Sequence, residues 1–326
     1  MEEINNYYND KTVLITGGAG AIGSNLSKKL IENCQKLIII DDLSSGYLVN
    51  IPKSDKVIFI KDSILNGKAL EKAFSHNIDI VFHLAAHFAN QNSVVHPEED
   101  LLVNGLGTLK VLEFSHKFNV KKFIYSSSSC VYGNKAGLMS EESSEYRLDT
   151  PYAITKLLGE RYVTFFHKHH KLNTIILRYF NSYGAGEFPG EYRNVIPNFL
   201  WLAMNKKYLP ITGTGEETRD FTYVGDTVML TLLAGEKDGA IGEIINIGSG
   251  KEVKVIDLAN KINDITGNKA GIKFVEKRNW DSIKKRCASI EKARNILGYE
   301  PSSINLETGL KEAFEWLKQN SKHIKI

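Results

Sequence analysis

The stretch Thr12-Val-Leu-Ile-Thr-Gly-Gly-Ala-Gly-Ala-Ile-Gly23 joins a short apolar run to a glycine-rich turn and to the first residues of a helical pattern. Its glycines read as G-x-x-G-x-x-G from Gly17 or as G-x-G-x-x-G from Gly18. Such a turn lets the backbone approach a pyrophosphate, and the amides at the following helix N-terminus attract its negative charge. The stretch therefore predicts the first βα unit of a dinucleotide-binding fold.

A pair of acidic residues supports this interpretation. Asp41-Asp42 ends a second apolar run, about 20 residues after the glycine-rich turn, which is the distance at which a carboxylate binds the adenosine ribose hydroxyls of a dinucleotide. A carboxylate at this place repels a 2′-phosphate, so the sequence favours NAD over NADP. Without the acidic pair, the glycines would also suit a turn that binds no ligand.

Further apolar runs alternate with helical patterns along the chain. The runs cover residues 12–16, 37–40, 57–60, 78–82, 122–125 and 174–177. The clearest helical patterns cover residues 22–31, 101–118 and 152–166. This alternation predicts the α/β class and a Rossmann-type, doubly wound parallel sheet. Six βα units account for the first part of the chain.

A glycine- and proline-rich stretch, residues 183–190, ends this regular alternation. Shorter and less regular elements follow to the C-terminus. We therefore expect residues 10–182 to form an NAD-binding Rossmann domain. We expect residues 183–326 to form a smaller α/β substrate-binding region that is partly interleaved with the first.

Composition excludes several classes of protein. The chain has 326 residues, 42% hydrophobic and 24% charged, and its 41 basic and 38 acidic residues give a net charge of +3. Its densest basic clusters, 168–171 and 284–286, do not resemble the basic stripe of a nucleic-acid binder. The length permits a large core without disulfides or metals. Nucleic acid is therefore not the expected partner.

The cysteine spacing and the first eleven residues indicate the cellular compartment. Cys34, Cys130 and Cys287 lie far apart, without the spacing of a zinc site or a disulfide framework. The first eleven residues are polar and lack the features of a signal peptide. No apolar run approaches the ~18 residues of a membrane span. We expect a cytoplasmic protein with no membrane partner and no metal.

Tyr152 and Lys156 stand one helical turn apart in the predicted helix 152–166, so their side chains share a face. At about 4 Å and an effective dielectric near 20, an ammonium stabilises a phenolate by roughly 4 kcal/mol. That interaction could lower a tyrosine pKa from about 10 toward 7. The pair therefore predicts a tyrosine base that works at neutral pH.

A serine run lies at the end of the predicted strand 122–125. Residues 126–129 are all serine and are followed by Cys130-Val-Tyr-Gly133. Ligands of open α/β sheets bind at the carboxyl ends of the strands, so one of these hydroxyls could share a hydrogen bond with a substrate alcohol and Tyr152. A polar turn without catalytic function is the alternative.

Together these motifs resemble the extended short-chain dehydrogenases/reductases of the nucleotide-sugar epimerase/dehydratase family. The resemblance covers nearly the whole chain in seven ordered elements. These are residues 16–23, 41–42, 83–86 (His-Leu-Ala-Ala), 104–108 (Asn-Gly-Leu-Gly-Thr), 128–133, 152–156 and 178–181 (Arg-Tyr-Phe-Asn).

The resemblance implies a catalytic trio of Ser128, Tyr152 and Lys156, in which Tyr152 takes a proton from a sugar hydroxyl while NAD accepts a hydride from the same carbon. The family commonly places Asp where Ser63 aligns, so either Asp62 or Ser63 would face the adenine. The NAD contacts that the resemblance implies are Gly17, Gly20, Ala21, Ile22, Gly23, Asp41, Asp42, Asp62, Ser63, Leu84, Ala85, Ala86, Asn104, Ser126, Tyr152, Lys156 and Tyr179.

The resemblance also implies a nucleotide-diphosphate sugar as substrate. Arg219 begins an Arg-Asp-Phe-x-x-Val-x-Asp element and would clamp a phosphate, and Arg278-Asn-Trp-Asp281 is similar to a second phosphate- and ribose-binding element. The following segment, which carries Lys284-Lys-Arg286, is longer than in many relatives, so the residue that limits the sugar pocket is not assigned. The predicted substrate contacts are Ser128, Ser129, Asn181, Asn194, Val195, Arg219, Arg278 and Asp281.

The reaction depends on the residues after Ser128. In the family, dehydratases carry Asp-Glu there and decarboxylases commonly keep a Glu, whereas this chain has Ser129 and Cys130. Without that acid/base pair, we expect a 4-epimerase that oxidises C4 transiently and returns the hydride to the opposite face. The alternatives are a 4,6-dehydratase, another sugar-nucleotide oxidoreductase that releases NADH, and a non-catalytic dinucleotide sensor.

His87 and Glu145 are further acid/base candidates, although a structural or substrate-contact function suits both better. The predicted helices 101–118 and 152–166 resemble the pair that forms a four-helix bundle between two subunits in this family. We therefore expect a homodimer.

Overall fold

The computed structural model describes residues 6–135, 137–143, 148–276, 283–300 and 304–324. Its strands are β1 Thr12–Thr16, β2 Lys36–Ile40, β3 Val57–Ile60, β4 Ile80–His83, β5 Lys122–Ser128, β6 Gly137–Met139, β7 Thr174–Tyr179, β8 Ser182–Tyr183, β9 Leu209–Thr212, β10 Thr218–Asp220, β11 Thr222–Tyr223, β12 Ile244–Ile247, β13 Glu252–Lys254, β14 Ile272–Val275 and β15 Lys285–Ala288.

The helices alternate with these strands. They are α1 Ala21–Asn33, α2 Gly67–Phe74, α3 Asn90–Val95, α4 Pro97–Asp100, α5 Thr108–Lys117, α6 Pro151–His170, α7 Val195–Met204, α8 Val224–Glu236, α9 Val255–Thr266, α10 Glu291–Leu297 and α11 Leu306–Asn320. A π-helical segment, Leu101–Gly107, lies between α4 and α5, so the predicted helix 101–118 begins with π geometry.

Seven parallel strands form the central sheet, in the order β12-β7-β5-β4-β1-β2-β3. Six of them are the predicted strands, which confirms the Rossmann-type fold. The seventh, β12, comes from the later part of the chain and pairs with β7 along Ile244–Ile247. The sheet therefore includes a segment from beyond residue 183, while the predicted domain boundary itself stays a prediction.

Side-chain alternation explains how the sheet is covered on both faces. Val13 and Ile15 of β1 pack with residues of α1 and α8, whereas Leu14 packs into a second cluster with residues of α2, α5 and α6. Because successive strand residues point to opposite faces, one continuous apolar run fills both clusters. This double burial is why the strands read as unbroken apolar runs.

The later part of the chain has its own core. Apolar residues of α7, α9 and α11 form a third cluster around β9, as Leu200, Leu258 and Leu310 illustrate. A four-stranded sheet, β13-β10-β15-β6, lies in the same part of the structure.

Helix α6 has a well-defined start, because the Thr150 side chain accepts a hydrogen bond from Ala153 N and Pro151 occupies the first turn.

Candidate active site

A cavity of about 550 Å³ opens at the carboxyl ends of β1, β2, β4, β5 and β7. This is the edge at which open α/β sheets bind ligands. The predicted site residues that line it are Gly17, Gly20, Ala21, Ile22, Gly23, Asp41, Asp42, Asp62, Ser63, Leu84, Ala85, Ala86, Ser126, Ser128, Ser129, Tyr152, Lys156, Tyr179, Asn181, Asn194, Val195 and Arg219. Arg278, Asp281 and Glu145 lie outside the described residues.

The glycine-rich turn is shaped by two close backbone approaches. Gly17 has φ +73°, and a Cβ there would lie 2.6 Å from the backbone N of Ala85. A Cβ on Gly23 would lie 2.4 Å from the carbonyl O of Gly17. Helix α1 begins at Ala21, and Gly20 supplies no side-chain cap, so the first amides of α1 face the cavity edge. This geometry fits a pyrophosphate.

Replacement of Gly17 by Ala is expected to lower the free energy of unfolding by at least about 2 kcal/mol and to weaken NAD binding, because the new Cβ meets Ala85 and the left-handed backbone disfavours alanine. Urea unfolding and calorimetric titration with NAD measure both effects. Gly67→Ala is the matched control, since a Cβ there meets nothing within 4 Å. Equal behaviour of the two variants would contradict the prediction.

Asp41 and Asp62, two predicted NAD contacts, accept hydrogen bonds from the loops around them. Asp41 accepts hydrogen bonds from Ala19 N (2.9 Å) and Leu43 N (2.8 Å), which ties the end of β2 to the glycine-rich turn. Asp62 accepts hydrogen bonds from Ser63 N and from the Asn66 side chain. Both Asp62 and Ser63 line the cavity, so either can face an adenine.

Asn104, a predicted NAD contact, is hydrogen-bonded to the loop that carries His87. It is buried and does not line the cavity. Its Oδ1 accepts a hydrogen bond from His87 N (2.8 Å), and its amide donates to the carbonyl O of His87 and to Asp100. Asn104 therefore shapes the loop that carries His87 into the cavity lining. Its contact with NAD stays a prediction.

The predicted catalytic trio is assembled at the junction of β5 and α6. Ser128 is the last residue of β5, so the serine run lies mostly inside the strand, where β5 pairs with β7 as far as Tyr179. The Ser128 side chain lies near enough to the Tyr152 phenol to lower its pKa, in opposition to burial, and its Oγ accepts a hydrogen bond from Cys130 N (3.2 Å). Lys156 Nζ donates to the carbonyl O of Ser126 (2.8 Å) and lies 5.8 Å from the ring centroid of Tyr152.

The ionisation of Tyr152 differs from the prediction. Burial raises the pKa of Tyr152 well above its usual value, although the nearby Ser128 side chain acts in the opposite direction. Burial also lowers the pKa of Lys156 to about 8. The predicted fall of the tyrosine pKa was wrong for this structure, because loss of solvation outweighs any help from the ammonium, which is bonded to a carbonyl instead.

A buried ion pair fixes the elements that carry the trio. Glu160, one turn after Lys156, contacts Arg178 Nη2 and Nε at 2.8 Å, and both side chains are almost fully buried. Ser127, beside Ser128, donates to Glu160 Oε1 (2.6 Å). The pair thus joins β5, α6 and β7, two of which carry the predicted catalytic residues.

Two of the predicted substrate residues, Asn181 and Arg219, lie shortly after β7 and on β10, respectively. Asn181 donates to the carbonyl O of Asp220 (2.9 Å), and the Arg219 guanidinium donates to the carbonyl O of Thr218. Asp220 is buried and accepts bonds from several backbone amides, including Ala288 N. These contacts set Arg219 at the cavity edge.

Two further cavity residues were missed in the sequence. Arg286 lines the cavity and is buried, whereas the adjacent Lys284 and Lys285 are exposed. Glu187 also lines it, and its Oε1 accepts a bond from Asn194 (3.1 Å). Nothing in the residue pattern distinguishes Arg286 from its basic neighbours. Arg286 is buried because β15 pairs with β10 and β6.

Glu187 gives the fold a pH dependence. Burial raises the pKa of Glu187 to about 7, above its value near 4.5 in an unfolded chain, so stability falls as the pH rises between those values. We expect Glu187→Gln to stabilise the fold by about 1–3 kcal/mol at pH 8 and to have no effect at pH 4. Urea unfolding at both pH values measures this. A variant that is less stable at pH 8 would contradict it.

Within the described ranges, no helix combines the length and apolar composition that a membrane crossing needs. The same ranges contain no cluster of three or more His, Cys, Asp or Glu side chains placed to hold a metal ion.

Known proteins are similar to this chain in sequence and in overall structure. A solved epimerase of Methanothermobacter thermautotrophicus is 48% identical, with a TM-score of 0.94, and the match covers 98% of this chain and 96% of that one. UDP-glucose 4-epimerase of Thermotoga maritima, solved with UDP-glucose, is 35% identical over 95% of this chain and 99% of its own, with a TM-score of 0.89.

Other relatives indicate the cofactor and the range of reactions. An enzyme of Bordetella bronchiseptica solved with NAD+ is 35% identical, with a TM-score of 0.82 over 97% of this chain and 94% of its own. Relatives about equally distant are named dTDP-D-glucose 4,6-dehydratase (Bos taurus, 32%) and UDP-N-acetyl-alpha-D-glucosaminuronate decarboxylase (Bacillus cytotoxicus, 33%). The NAD dependent epimerase/dehydratase family model matches residues 13–248. With its glycine-rich turn, acidic pair and Ser128, Tyr152 and Lys156 in one cavity, the chain belongs to the NAD-dependent epimerase/dehydratase family, and its cofactor is NAD.

Proposed function

We propose that the chain is a nucleotide-sugar 4-epimerase. The observation that carries this proposal is the chemistry beside Ser128. Ser129 and Cys130 begin the short 3₁₀-helix that follows β5, and both line the cavity. A hydroxyl and a thiol stand where dehydratase chemistry needs a carboxylic acid and a carboxylate, so the protein retains the oxidation step and lacks the pair needed to eliminate water.

Separate groups of residues would bind NAD and move the proton of the sugar hydroxyl. Residues of the glycine-rich turn would hold the pyrophosphate of NAD, and Asp41 would hold the adenosine ribose. NAD, when bound, accepts a hydride from C4 of the sugar and returns it to the opposite face of the 4-keto sugar. In its phenolate form, Tyr152 would accept the proton of the C4 hydroxyl and give it back after the sugar turns over; the nearby Ser128 side chain favours that form, whereas burial opposes it.

The later part of the chain supplies the substrate side. Arg219 is a suitable phosphate ligand because its planar guanidinium presents paired donors. Asn181 and Asn194 line the same cavity as Arg219. The neighbour solved with UDP-glucose supports UDP as the nucleotide. We therefore propose that residues 10–182 mainly bind NAD and that residues 183–326 mainly bind the nucleotide sugar.

The test is the stereochemistry of the product. Purified protein is incubated with UDP-, dTDP-, GDP- and CDP-sugars, and the products are identified by NMR while absorbance at the NADH wavelength is followed. We expect inversion at C4 with no net change in NADH. A 4-keto-6-deoxy product would instead identify a dehydratase, and accumulation of NADH would identify a dehydrogenase.

We also propose a homodimer. Five large apolar side chains are exposed on the π-helical segment and on α6, which lie side by side: Leu101, Leu102, Leu106, Ile154 and Phe165. A contiguous exposed apolar face is typical of a protein interface. Sedimentation should give twice the chain mass of 36.6 kDa; a monomer would refute this assignment.

A further inference from the structure

Arg286 is a cation in the cavity wall that the proposed reaction does not use. It lies on β15, is only 4% exposed, and lines the cavity. A guanidinium stays protonated in proteins, so Arg286 places a fixed positive charge in this wall.

The contacts of Arg286 place this charge beside the reacting centre. Its Nη1 lies 3.8 Å from Cys130 Sγ, and its Nη2 donates to the carbonyl O of Gly133. Cys130 lies next to the proposed catalytic hydroxyl of Ser128, since its backbone N–H donates to Ser128 Oγ (3.2 Å). A sugar whose C4 hydroxyl reaches Tyr152 therefore has its neighbouring substituents within reach of Arg286.

The adjacent strand carries a second guanidinium. Arg219 on β10 is opposite Arg286 in the parallel register of β10 and β15. Side chains opposite each other on neighbouring strands project from the same face, and both of these line the cavity. Two fixed positive charges suit a ligand with anionic groups at two places. The diphosphate accounts for Arg219, whereas Arg286 contacts the segment that follows Ser128.

We propose that Arg286 binds a carboxylate on the sugar ring, so that the substrate is the nucleotide diphosphate of a hexuronic acid rather than of a neutral hexose. This inference rests on the proposed function, because that function places C4 at Tyr152. In a hexuronic acid the carboxylate carbon is attached to C5, the ring carbon next to C4. The paired donors of a guanidinium match the two oxygens of a carboxylate. The cavity lining also contains two carboxylates, Asp149 and Glu187.

The test measures equilibrium binding by calorimetry, with NAD-loaded protein carrying Tyr152→Phe so that no turnover intervenes. The ligands are UDP-glucuronate, UDP-glucose and UDP. Because all three contain UDP, the ratios of their affinities do not depend on which nucleotide the protein prefers. We expect UDP-glucuronate to bind roughly 10- to 100-fold more tightly than UDP-glucose. Adding Arg286→Gln should remove that preference and leave the affinities for UDP-glucose and UDP nearly unchanged. Arg286→Lys, which keeps the positive charge, should retain part of the preference.

Arg219→Gln is the matched control, because it should weaken the binding of all three ligands. Equal affinity of the parent protein for UDP-glucuronate and UDP-glucose would overturn the inference, whether or not the Arg286 variants fold. A loss of UDP affinity in Arg286→Gln equal to that in Arg219→Gln would also overturn it, since Arg286 would then bind the diphosphate. If the acid is preferred but native protein does not invert its C4, the proposed function fails while the assignment of Arg286 stands.

Discussion

Replacement of Tyr152 by Phe is expected to lower kcat for C4 inversion by at least about 10³-fold while the protein still folds and binds NAD. The change removes the one hydroxyl that can exchange a proton with the substrate alcohol beside Ser128, and it leaves the buried ring in place. Turnover is measured by NMR with the sugar nucleotide that the wild-type protein inverts, and NAD binding by calorimetry.

Tyr162→Phe is the matched control for this prediction. Tyr162 lies on the same helix, α6, but is not part of the cavity lining, so the same loss of a hydroxyl should leave kcat nearly unchanged. If Tyr152→Phe kept wild-type turnover, another group would have to be the proton acceptor, and His87 would be the first to examine because it lines the cavity.

Replacement of Arg178 by Met is expected to lower the free energy of unfolding by about 3–5 kcal/mol, the usual cost of leaving one partner of a buried ion pair without the other. The Glu160 carboxylate would lose two charged donors in a place where its side chain is 2% exposed. The Tyr132 ring, 4.8 Å from the guanidinium carbon, would lose a packing partner as well. Urea unfolding of the full chain measures the loss.

Two controls keep this second prediction specific. Lys117→Met breaks an ion pair with Glu71 whose side chains are more than half exposed, and it should change stability by less than about 0.5 kcal/mol. The double variant Glu160→Leu, Arg178→Met should be more stable than Arg178→Met alone, because no unpaired charge is left in the core. A loss below about 1 kcal/mol in Arg178→Met would show that the pair does not hold β5, α6 and β7 together.

Local patterns predicted most of the sheet and most of the cavity lining. The glycine-rich turn, Asp41 and the Tyr152–Lys156 spacing are features of a few consecutive residues, and their geometry is set by the backbone near them. Strand β12 was not predicted, because its four residues join the sheet only by pairing with β7 some 70 residues earlier in the chain. The end of β5 was also misplaced, since pairing with β7 extends the strand through the serine run to Ser128.

The sequence by itself determined the fold class and the cofactor and predicted the catalytic trio, because these depend on residue types and on their order and spacing along the chain. Only the tertiary structure decided how these groups are solvated and what surrounds them. Burial raised the pKa of Tyr152 against the prediction from spacing, and strand pairing separated Arg286 from Lys284 and Lys285. Both outcomes depend on segments that are distant in sequence, because solvation and charge environment are set by whatever the fold brings into contact.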